Sequence, residues 1–299
     1  PYTGLTIKKV DAIDGRGLKG AVFKLYEGTA AETTKFLGDF QSNENGIVVI
    51  QNLKSDTYYT IVEAQPPDGY FLDEENNPQT ILIKPDALEK NLTVIFRNKP
   101  KPKLLITKID EKTGTRLPEA VFRVALRGSS EYVEVTTGSD GTVLLEGLEE
   151  AWYQVSEIRA PSGYILDSTV HDIELVAGET ATLVVNNGKK PTLVIEKVDE
   201  KTGVKLSDAV FRVAPRDGGD YIEVTTGNGC IAVVEGLNAD WYTVTEVRAP
   251  NGYQLLDEPQ TVQLEQGKTT TVKINNRKLP TLTIKKIDEQ TGEGVDGVV

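Results

Sequence analysis

A lysine occupies the apolar face of a predicted β-strand at four places in the chain. In the first copy, residues 5–11 read LTIKKVD, and this alternation of apolar residues is typical of a strand with one buried face. Leu5, Ile7 and Lys9 share that face. The same strand pattern places a lysine inward at Lys108, Lys197 and Lys286. Each lysine needs a partner, because a buried ammonium is unfavourable unless it is paired, neutralised or consumed by a reaction.

Two other polar residue types fall on predicted inward faces in each of three repeats. A later strand places Glu63 on one face with Tyr59 and Ile61, and the last strand places Asn98 on one face with Val94. The equivalent residues of the next two repeats are Glu157, Glu246, Asn187 and Asn276. Each complete repeat therefore offers one inward lysine, one inward glutamate and one inward asparagine.

Two kinds of chemistry could satisfy such a trio. The simpler one is a buried Lys–Glu ion pair beside an amide, which is often no more stable than an apolar substitute. In the other, burial favours a neutral amine and a protonated carboxyl. The amine then attacks the asparagine, while the carboxyl hydrogen-bonds the asparagine oxygen and shuttles the proton to the departing ammonia. We expect this second reaction, a Lys–Asn isopeptide bond formed without an external enzyme, because the fold holds the groups together.

The strands that position these residues belong to an internal repeat. An Ala-Val-Phe strand, a turn with glycine, the glutamate strand, a Pro-x-Gly-Tyr turn and a final strand return in the same order. Roughly seven short strands per unit, separated by turn signals, predict an antiparallel β-sandwich. No stretch predicts a convincing helix. The predicted class is all-β, with tandem prealbumin-like or immunoglobulin-like sandwiches joined by short, stiff, proline-containing linkers.

The repeat predicts the domain boundaries. Sandwiches are expected at residues 1–99, 100–188 and 189–277, and residues 278–299 read as the truncated start of a fourth repeat that cannot build a core alone. We expect no internal bond at Lys286, because its glutamate and asparagine partners do not occur in residues 278–299. The abrupt start at Pro1 suggests a piece of a longer protein.

Composition excludes several classes of function. The 299 residues carry a net charge of −12, which disfavours nucleic acid as a partner. No apolar run approaches the roughly 20 residues that span a bilayer, so no membrane insertion is expected. We predict neither a cofactor nor a metal, and His171 reads as a surface residue. The single cysteine, Cys230, reads as a tolerated substitution at a turn where other repeats have glycine, rather than as a thioester or a functional thiol.

The motifs resemble a known family. Leu-x-Ile-x-Lys-x-Asp, then Glu-x-x-Ala-Pro-x-Gly-Tyr, then a last strand ending in asparagine resemble the Cna B-type, prealbumin-like repeats of Gram-positive surface adhesins and sortase-assembled pilins. The resemblance covers essentially the whole chain. It implies that the glutamate catalyses an autocatalytic isopeptide bond between the lysine and the asparagine. The implied trios are Lys9–Glu63–Asn98, Lys108–Glu157–Asn187 and Lys197–Glu246–Asn276.

The chain departs from the family pattern in a few places. Residues 63–67 read EAQPP where the other repeats have Glu-x-Arg-Ala-Pro. Two repeats carry adjacent asparagines, and strand alternation favours Asn187 and Asn276 over the asparagine that precedes each. The sortase signal Leu-Pro-x-Thr-Gly does not occur, so wall attachment is an implication of the resemblance alone.

Two function classes remain open. The first is a structural stalk or shaft on the cell wall, in which force passes through each cross-link. Its candidate partners are neighbouring subunits of a fibre. The second is a module that binds a host protein or glycan, for which the extra residues of the first repeat, around 28–36, are the only candidate site. Trp152 and Trp241 read as core or rim packing, and no exposed aromatic cluster is evident. An enzyme with multiple turnovers is not expected, since each cross-link can form only once.

Overall fold

The structure, a computed structural model, describes residues 2–84 and 92–297. It confirms the all-β prediction, since the only helical element in this part of the chain is the short 3₁₀ turn Thr33–Lys35. No helix among these residues is long and apolar enough to cross a membrane. Three successive seven-stranded domains, numbered 1 to 3, account for the strands. Domain 1 contains β1 (Tyr2–Asp11), β2 (Val22–Glu27), β3 (Phe36–Gln41), β4 (Ile47–Lys54), β5 (Thr57–Gln65), β6 (Gln79–Ile83) and β7 (Leu92–Asn98).

The other two domains repeat this order of strands. Domain 2 contains β8 (Lys103–Asp110), β9 (Val121–Leu126), β10 (Tyr132–Thr136), β11 (Thr142–Leu145), β12 (Ala151–Arg159), β13 (Val170–Leu175) and β14 (Thr180–Asn187). Domain 3 contains β15 (Thr192–Asp199), β16 (Val210–Pro215), β17 (Ile222–Thr225), β18 (Ile231–Val234), β19 (Trp241–Arg248), β20 (Gln260–Gln263) and β21 (Thr269–Asn276). The chain forms two compact units, and domain 3 belongs to the second.

Each domain consists of a three-stranded sheet and a four-stranded sheet. In domain 1 the orders are β4-β1-β7 and β3-β2-β5-β6, and the other domains have the same arrangement. The first and last strands pair in parallel, from Leu5 opposite Leu92 to Asp11 opposite Asn98. The sandwich is therefore not purely antiparallel as predicted. The five intervening strands supply the long connection that a parallel pair requires.

The core lies between the two sheets. Leu5 and Ile7 of β1 are fully buried against Phe23 of β2 and Ile61 of β5, as the alternation of apolar residues predicts. Lys9 continues the same inward face and is also 0% exposed. The lysine therefore lies at the end of an apolar stripe, where water cannot reach its ammonium group.

The added length of domain 1 lies in two places. Residues 28–36, the predicted insertion, contain the 3₁₀ turn. Glu63 and Asn98 are 35 residues apart in sequence, whereas Glu157 and Asn187 are 30 apart. Residues 28–36 are thus not the only insertion in this domain, although they are the only one identified from the sequence.

Residues 278–297 form no strand within the described chain. Leu282 and Ile284, which would face a core in a complete repeat, are 83% and 84% exposed. The turn that follows is nevertheless formed, because Asp288 accepts hydrogen bonds from the backbone N–H groups of Gln290 and Thr291 at 2.9 and 2.8 Å. The turn thus forms from local hydrogen bonds alone, without packing against other strands.

Candidate functional site

The structure brings the predicted lysine, glutamate and asparagine of each complete domain together. The lysine lies on the first strand, the glutamate on the fifth, and the asparagine is the last residue of the seventh. Because the two sheets pack face to face, the glutamate of one sheet meets the lysine and asparagine of the other. None of these residues is more than 5% exposed: Lys9, Glu63, Asn98, Lys108, Glu157, Asn187, Lys197, Glu246 and Asn276.

In domain 2 the three side chains form a closed set of contacts. The Nζ atom of Lys108 lies 3.2 Å from Oε1 of Glu157 and donates a hydrogen bond of 2.5 Å to Oδ1 of Asn187. The Nδ2 atom of Asn187 donates to Oε1 and Oε2 of Glu157 at 3.0 and 2.9 Å. Each residue thus contacts the other two, and the amine lies beside the amide that it would attack.

Domain 3 has the same pairs of partners. Lys197 Nζ lies 3.2 Å from Oε1 of Glu246 and donates to Oδ1 of Asn276. Asn276 Nδ2 donates to Oε2 of Glu246 at 2.9 Å and to the backbone carbonyl of Gln254 at 2.7 Å. Domain 3 therefore adds a second acceptor for the amide nitrogen that would leave as ammonia.

Domain 1 lacks one of these contacts. Lys9 Nζ donates to Oε2 of Glu63 at 3.1 Å, and Asn98 Nδ2 donates to Oε1 of the same carboxylate at 2.8 Å. The Oδ1 atom of Asn98 is buried and has no hydrogen-bond partner. In this domain the glutamate alone bridges the two residues that would react.

The asparagine amide has the opposite orientation to the one expected from sequence. In every domain its N–H₂ group, rather than its oxygen, faces the glutamate. An ionised carboxylate can only accept hydrogen bonds and an ammonium can only donate them, which explains this orientation. The contacts are those of an ion pair, and transfer of a proton from lysine to glutamate would favour rotation of the amide.

Burial shifts the titration of the three lysines and of Glu63 toward that transfer. Burial lowers the pKa of Lys9, Lys108 and Lys197, although the paired glutamate partly opposes the shift in each case. Burial raises the pKa of Glu63, against the opposing charge of Lys9. Desolvation penalises the charged form of both partners, so it favours the neutral amine and the protonated carboxyl.

The glutamates are fixed from outside the trio in two ways. In domains 2 and 3 a backbone N–H binds the glutamate Oε2, from Asp167 at 2.8 Å and from Leu256 at 2.9 Å. In domain 1 the side chain of Asn77 instead brackets the backbone of Glu63, accepting from its N–H at 2.8 Å and donating to its carbonyl at 2.9 Å. These supports lie in the segment after the Pro-x-Gly-Tyr turn.

Sequence reasoning missed a fourth buried polar residue in each domain. Asp11, Asp110 and Asp199 are at most 4% exposed and end the lysine strands. The signal was present in the strand phase, because each aspartate lies two residues after the lysine and therefore shares its face. In the sequence this aspartate reads only as part of the Leu-x-Ile-x-Lys-x-Asp motif.

Other predicted positions differ in what they contact. His171 is partly buried rather than on the open surface, with Nε2 3.0 Å from Oδ2 of Asp167. Cys230 has a left-handed backbone, with a φ of 59°. Trp152 and Trp241 are 44% and 37% exposed, so they are not core residues. Within residues 2–84 and 92–297, no group of three or more His, Cys, Asp or Glu side chains could hold a metal ion.

Comparisons with solved structures return several pilins and other bacterial proteins. The Bacillus anthracis TIE protein is 27% identical, with a TM-score of 0.37, and the match covers 93% of this chain and 51% of that one. A streptococcal ancillary pilin is 19% identical over 94% of this chain and 100% of its own, with a TM-score of 0.41. BcpA, the major pilin subunit of Bacillus cereus, is 14% identical over 93% of this chain and 100% of its own, with a TM-score of 0.35.

The chain therefore spans about half the length of the TIE protein structure. A search of curated protein sequences returns no significant match. The model of the SpaA prealbumin-like fold domain matches this chain three times, over residues 3–97, 102–189 and 191–278. These matches cover most of the chain and confirm the resemblance inferred from its motifs. The chain belongs to the family of SpaA prealbumin-like domains.

Proposed function

We propose that this chain is a structural segment of a fibre or stalk on the surface of a Gram-positive bacterium. In this proposal each complete domain is closed by its own Lys–Asn isopeptide bond. The observation that carries the proposal is the threefold recurrence of a buried lysine, glutamate and asparagine, in which the glutamate contacts both other residues. One ion pair of this kind would be unremarkable, but a desolvated trio at the same place in three domains supports a shared chemical purpose.

The reaction begins with transfer of a proton from the lysine ammonium to the glutamate. The neutral Nζ then attacks Cγ of the asparagine, and the glutamate carboxyl polarises the asparagine oxygen. The new Nζ–Cγ bond forms, the Cγ–Nδ2 bond breaks, and the glutamate moves the second amine proton to the leaving nitrogen. The leaving group departs as ammonia, and the glutamate regains its ionised starting state by giving up the first proton, which converts the departing ammonia to ammonium. Each domain reacts once, so the chain is not an enzyme with turnover.

The cross-link would join the first strand of the domain to the last residue of its seventh strand. Tension entering at the first strand would then pass through the cross-link rather than through the strands between. This property suits an extracellular, wall-attached shaft whose neighbouring subunits also carry load. Host proteins or glycans would then be contacted by other parts of the parent protein.

The intact mass of the purified chain under denaturing conditions tests the proposal. Each isopeptide bond releases one ammonia, roughly 17 Da, so three trios predict a deficit of three ammonias. A Glu157→Ala variant should lose only two, whereas Glu134→Ala, which removes an exposed carboxylate of the same domain, should still lose three. A mass equal to that of the unmodified sequence would refute the covalent mechanism and leave three buried ion pairs.

One observation favours a second candidate function, the binding of a host glycan or protein. Exposed aromatic side chains lie on the outer face of the four-stranded sheet, contrary to the sequence analysis. The guanidinium of Arg123 lies 3.6 Å from the ring centre of Tyr132, and that of Arg212 lies 4.0 Å from the ring centre of Tyr221. Exposed aromatic and arginine side chains are enriched at binding surfaces.

Binding of the chain to immobilised glycans and to matrix proteins would test this second function. A double Trp152→Ala and Tyr132→Ala variant should bind more weakly, because only the equivalent residues of domain 3 remain, whereas Leu144→Ala, on the other sheet of the same domain, should bind as the unmodified chain does. Equal binding by both variants, or no binding by the unmodified chain, would remove this candidate.

A further inference from the structure

The buried aspartate at the end of each lysine strand lies next to the reacting asparagine. In the parallel register, Asp11 stands opposite Asn98 and Asp199 stands opposite Asn276. Asp11 is 4% and Asp199 3% exposed. Each asparagine is the last residue of an edge strand, where strand ends fray most readily. The asparagine therefore needs support beyond its ladder hydrogen bonds.

The aspartate organises the turn that supplies part of this support. In domain 3, Oδ1 of Asp199 accepts hydrogen bonds from the N–H groups of Lys201 at 3.0 Å and Thr202 at 2.8 Å. The first residue of the turn, Glu200, donates its N–H to the backbone carbonyl of Asn276 at 2.9 Å. In this way the aspartate side chain fixes the turn, and the turn holds the backbone of the reacting asparagine.

A tyrosine ties the same aspartate to a second turn. The hydroxyl of Tyr253, the last residue of the Pro-x-Gly-Tyr turn, donates to Oδ2 of Asp199 at 3.0 Å. This turn also forms backbone hydrogen bonds with the chain just beyond the asparagine. Leu279 N–H donates to the Gly252 carbonyl, and Gln254 N–H donates to the Arg277 carbonyl, each at 2.9 Å. Gly252 permits the turn because its φ of 82° is unfavourable for other residues.

Domain 1 repeats the arrangement. The hydroxyl of Tyr70 donates to Oδ2 of Asp11 at 2.8 Å. The N–H groups of Phe71 and Lys101 bind the carbonyls of Lys99 and Gly69 at 2.9 and 2.7 Å, and Ala12 N–H binds the carbonyl of Asn98 at 2.9 Å. The same three-way connection of strand end, turn and asparagine therefore occurs in two domains whose loops differ in length.

We propose that the Asp11–Tyr70 and Asp199–Tyr253 pairs are positioning residues for isopeptide formation, holding Asn98 and Asn276 against the attacking lysine. This inference rests on the proposed function. Neither pair contacts the lysine amine, so their role is geometric. Attack requires the amine to approach closer to the amide carbon than hydrogen-bond contact. A displacement of about 1 Å can slow such a reaction by roughly a hundredfold.

The charge of the aspartate strengthens this connection. The N–H of Thr202, followed by its hydroxyl, lowers the pKa of Asp199 to about 2, and the Tyr253 hydroxyl adds to the shift. The carboxylate is therefore ionised at neutral pH, and hydrogen bonds to an ionised acceptor are stronger than those to a neutral one.

A refolding experiment with a tyrosine variant tests the proposal. The chain is synthesised in a short cell-free reaction and transferred at once into denaturant. It is then refolded by dilution. Cross-linked peptides from each domain are then quantified by mass at successive times. Tyr253→Phe removes only the hydroxyl, and we expect the cross-link of domain 3 to form roughly tenfold more slowly, with domains 1 and 2 unchanged. Tyr221→Phe is the matched control, because Tyr221 is a 53% exposed tyrosine of the same domain.

Hydrogen exchange of β15 measured in parallel separates positioning from folding. If the tyrosine hydroxyl acts only on folding, its removal would lower the fraction of folded molecules. The rate of cross-link formation within folded molecules would then be unchanged. If Tyr253→Phe fails to fold, Tyr70→Phe provides the same test in domain 1. A rate in folded molecules equal to that of the Tyr221→Phe control would overturn the inference alone. Absence of ammonia loss from the unmodified chain would overturn the proposed function and this inference with it.

Discussion

The lysine–glutamate–asparagine trios of domains 1 and 3 use the same three residue types but different hydrogen bonds. In domain 3, Lys197 reaches both Glu246 and Asn276. In domain 1, Lys9 contacts only the glutamate, and the Oδ1 atom of Asn98 has no partner. Domain 2 resembles domain 3 in this respect. Identical residues at identical strand positions thus do not guarantee identical contacts.

The difference in hydrogen bonds accompanies a difference in the segment that follows the Pro-x-Gly-Tyr turn. In domain 3 this segment places the Leu256 N–H on the glutamate carboxylate, and its Gln254 carbonyl accepts from Asn276. In domain 1 the segment is longer, and Asn77 binds the backbone of Glu63 instead. The loop therefore determines whether the carboxylate is held directly or only through its main chain.

The rate of cross-linking should differ between the domains. Lys9 must leave Glu63 and approach Asn98, whereas Lys108 and Lys197 already contact their asparagines. We expect domain 1 to react roughly tenfold more slowly than domains 2 and 3 when the denatured, unreacted chain is refolded. Peptide masses at successive times would measure this order. Equal rates in the three domains would show that the contacts described for domain 1 do not limit its reaction.

The pH dependence of domain 1 should show an optimum. Burial lowers the pKa of Lys9 below 10.5, so the neutral amine is available at lower pH than in an ordinary lysine. Burial raises the pKa of Glu63 above 4.5, so the protonated carboxyl persists to higher pH. The rate should fall at low pH as Lys9 is protonated and at high pH as Glu63 ionises. The rate of ammonia loss, corrected for the folded fraction at each pH, would measure this, and a rate that rises steadily with pH would contradict it.

Removal of the Asn77 side chain should weaken domain 1 alone. Asn77→Ala deletes two hydrogen bonds to the backbone of Glu63, which we expect to lower the free energy of unfolding by about 1–2 kcal/mol. Asn76→Ala is the control, because Asn76 is exposed and bonds only within its own loop, to Asp73. Hydrogen exchange resolved by domain would detect the change. Equal effects of the two variants would mean that Asn77 does not support the glutamate strand.

The smallest expected effect concerns the turn that binds the backbone of each buried lysine. Cys230 stands where domain 1 has Gly46, and it adopts a φ of 59° that glycine accepts at lower cost. Lys197 N–H reaches the Cys230 carbonyl at 3.2 Å, compared with 2.7 Å from Lys9 to Gly46. We expect Cys230→Gly to stabilise domain 3 by about 1 kcal/mol. Cys230→Ala retains a Cβ atom and should give no gain in the thermal unfolding midpoint; an equal gain would refute the explanation.

Much of the fold and the identity of the trio could be predicted because strand alternation carries that information. An inward lysine two residues beyond Ile7 is visible in the sequence, and so is an inward glutamate beyond Ile61. The same phase also indicated Asp11, but a carboxylate at the end of a strand reads equally well as part of a turn. Its buried position became evident only when the structure placed Tyr70 over it.

The contacts within the trio could not be predicted, since they depend on which loop atoms reach the glutamate. The N–H of Leu256 and the side chain of Asn77 occupy different sequence positions relative to the strand, and no periodicity marks them. The asparagine orientation also depends on the protonation state of its neighbours, which sequence does not record. The choice between core and rim packing for Trp152 could not be made in advance, because alternation shows that two faces exist without showing which one a residue near a strand entry will occupy.

The parallel pairing of β1 and β7 has a mechanical consequence. Parallel neighbours have their chain entry and chain exit at opposite ends of the pair, so a pull along the chain slides one strand past the other. The paired residues from Leu5–Leu92 to Asp11–Asn98 would then be loaded together in shear, rather than broken one at a time as in the peeling of a hairpin. Resistance to stretching would thus begin with the topology, before any bond forms between the side chains.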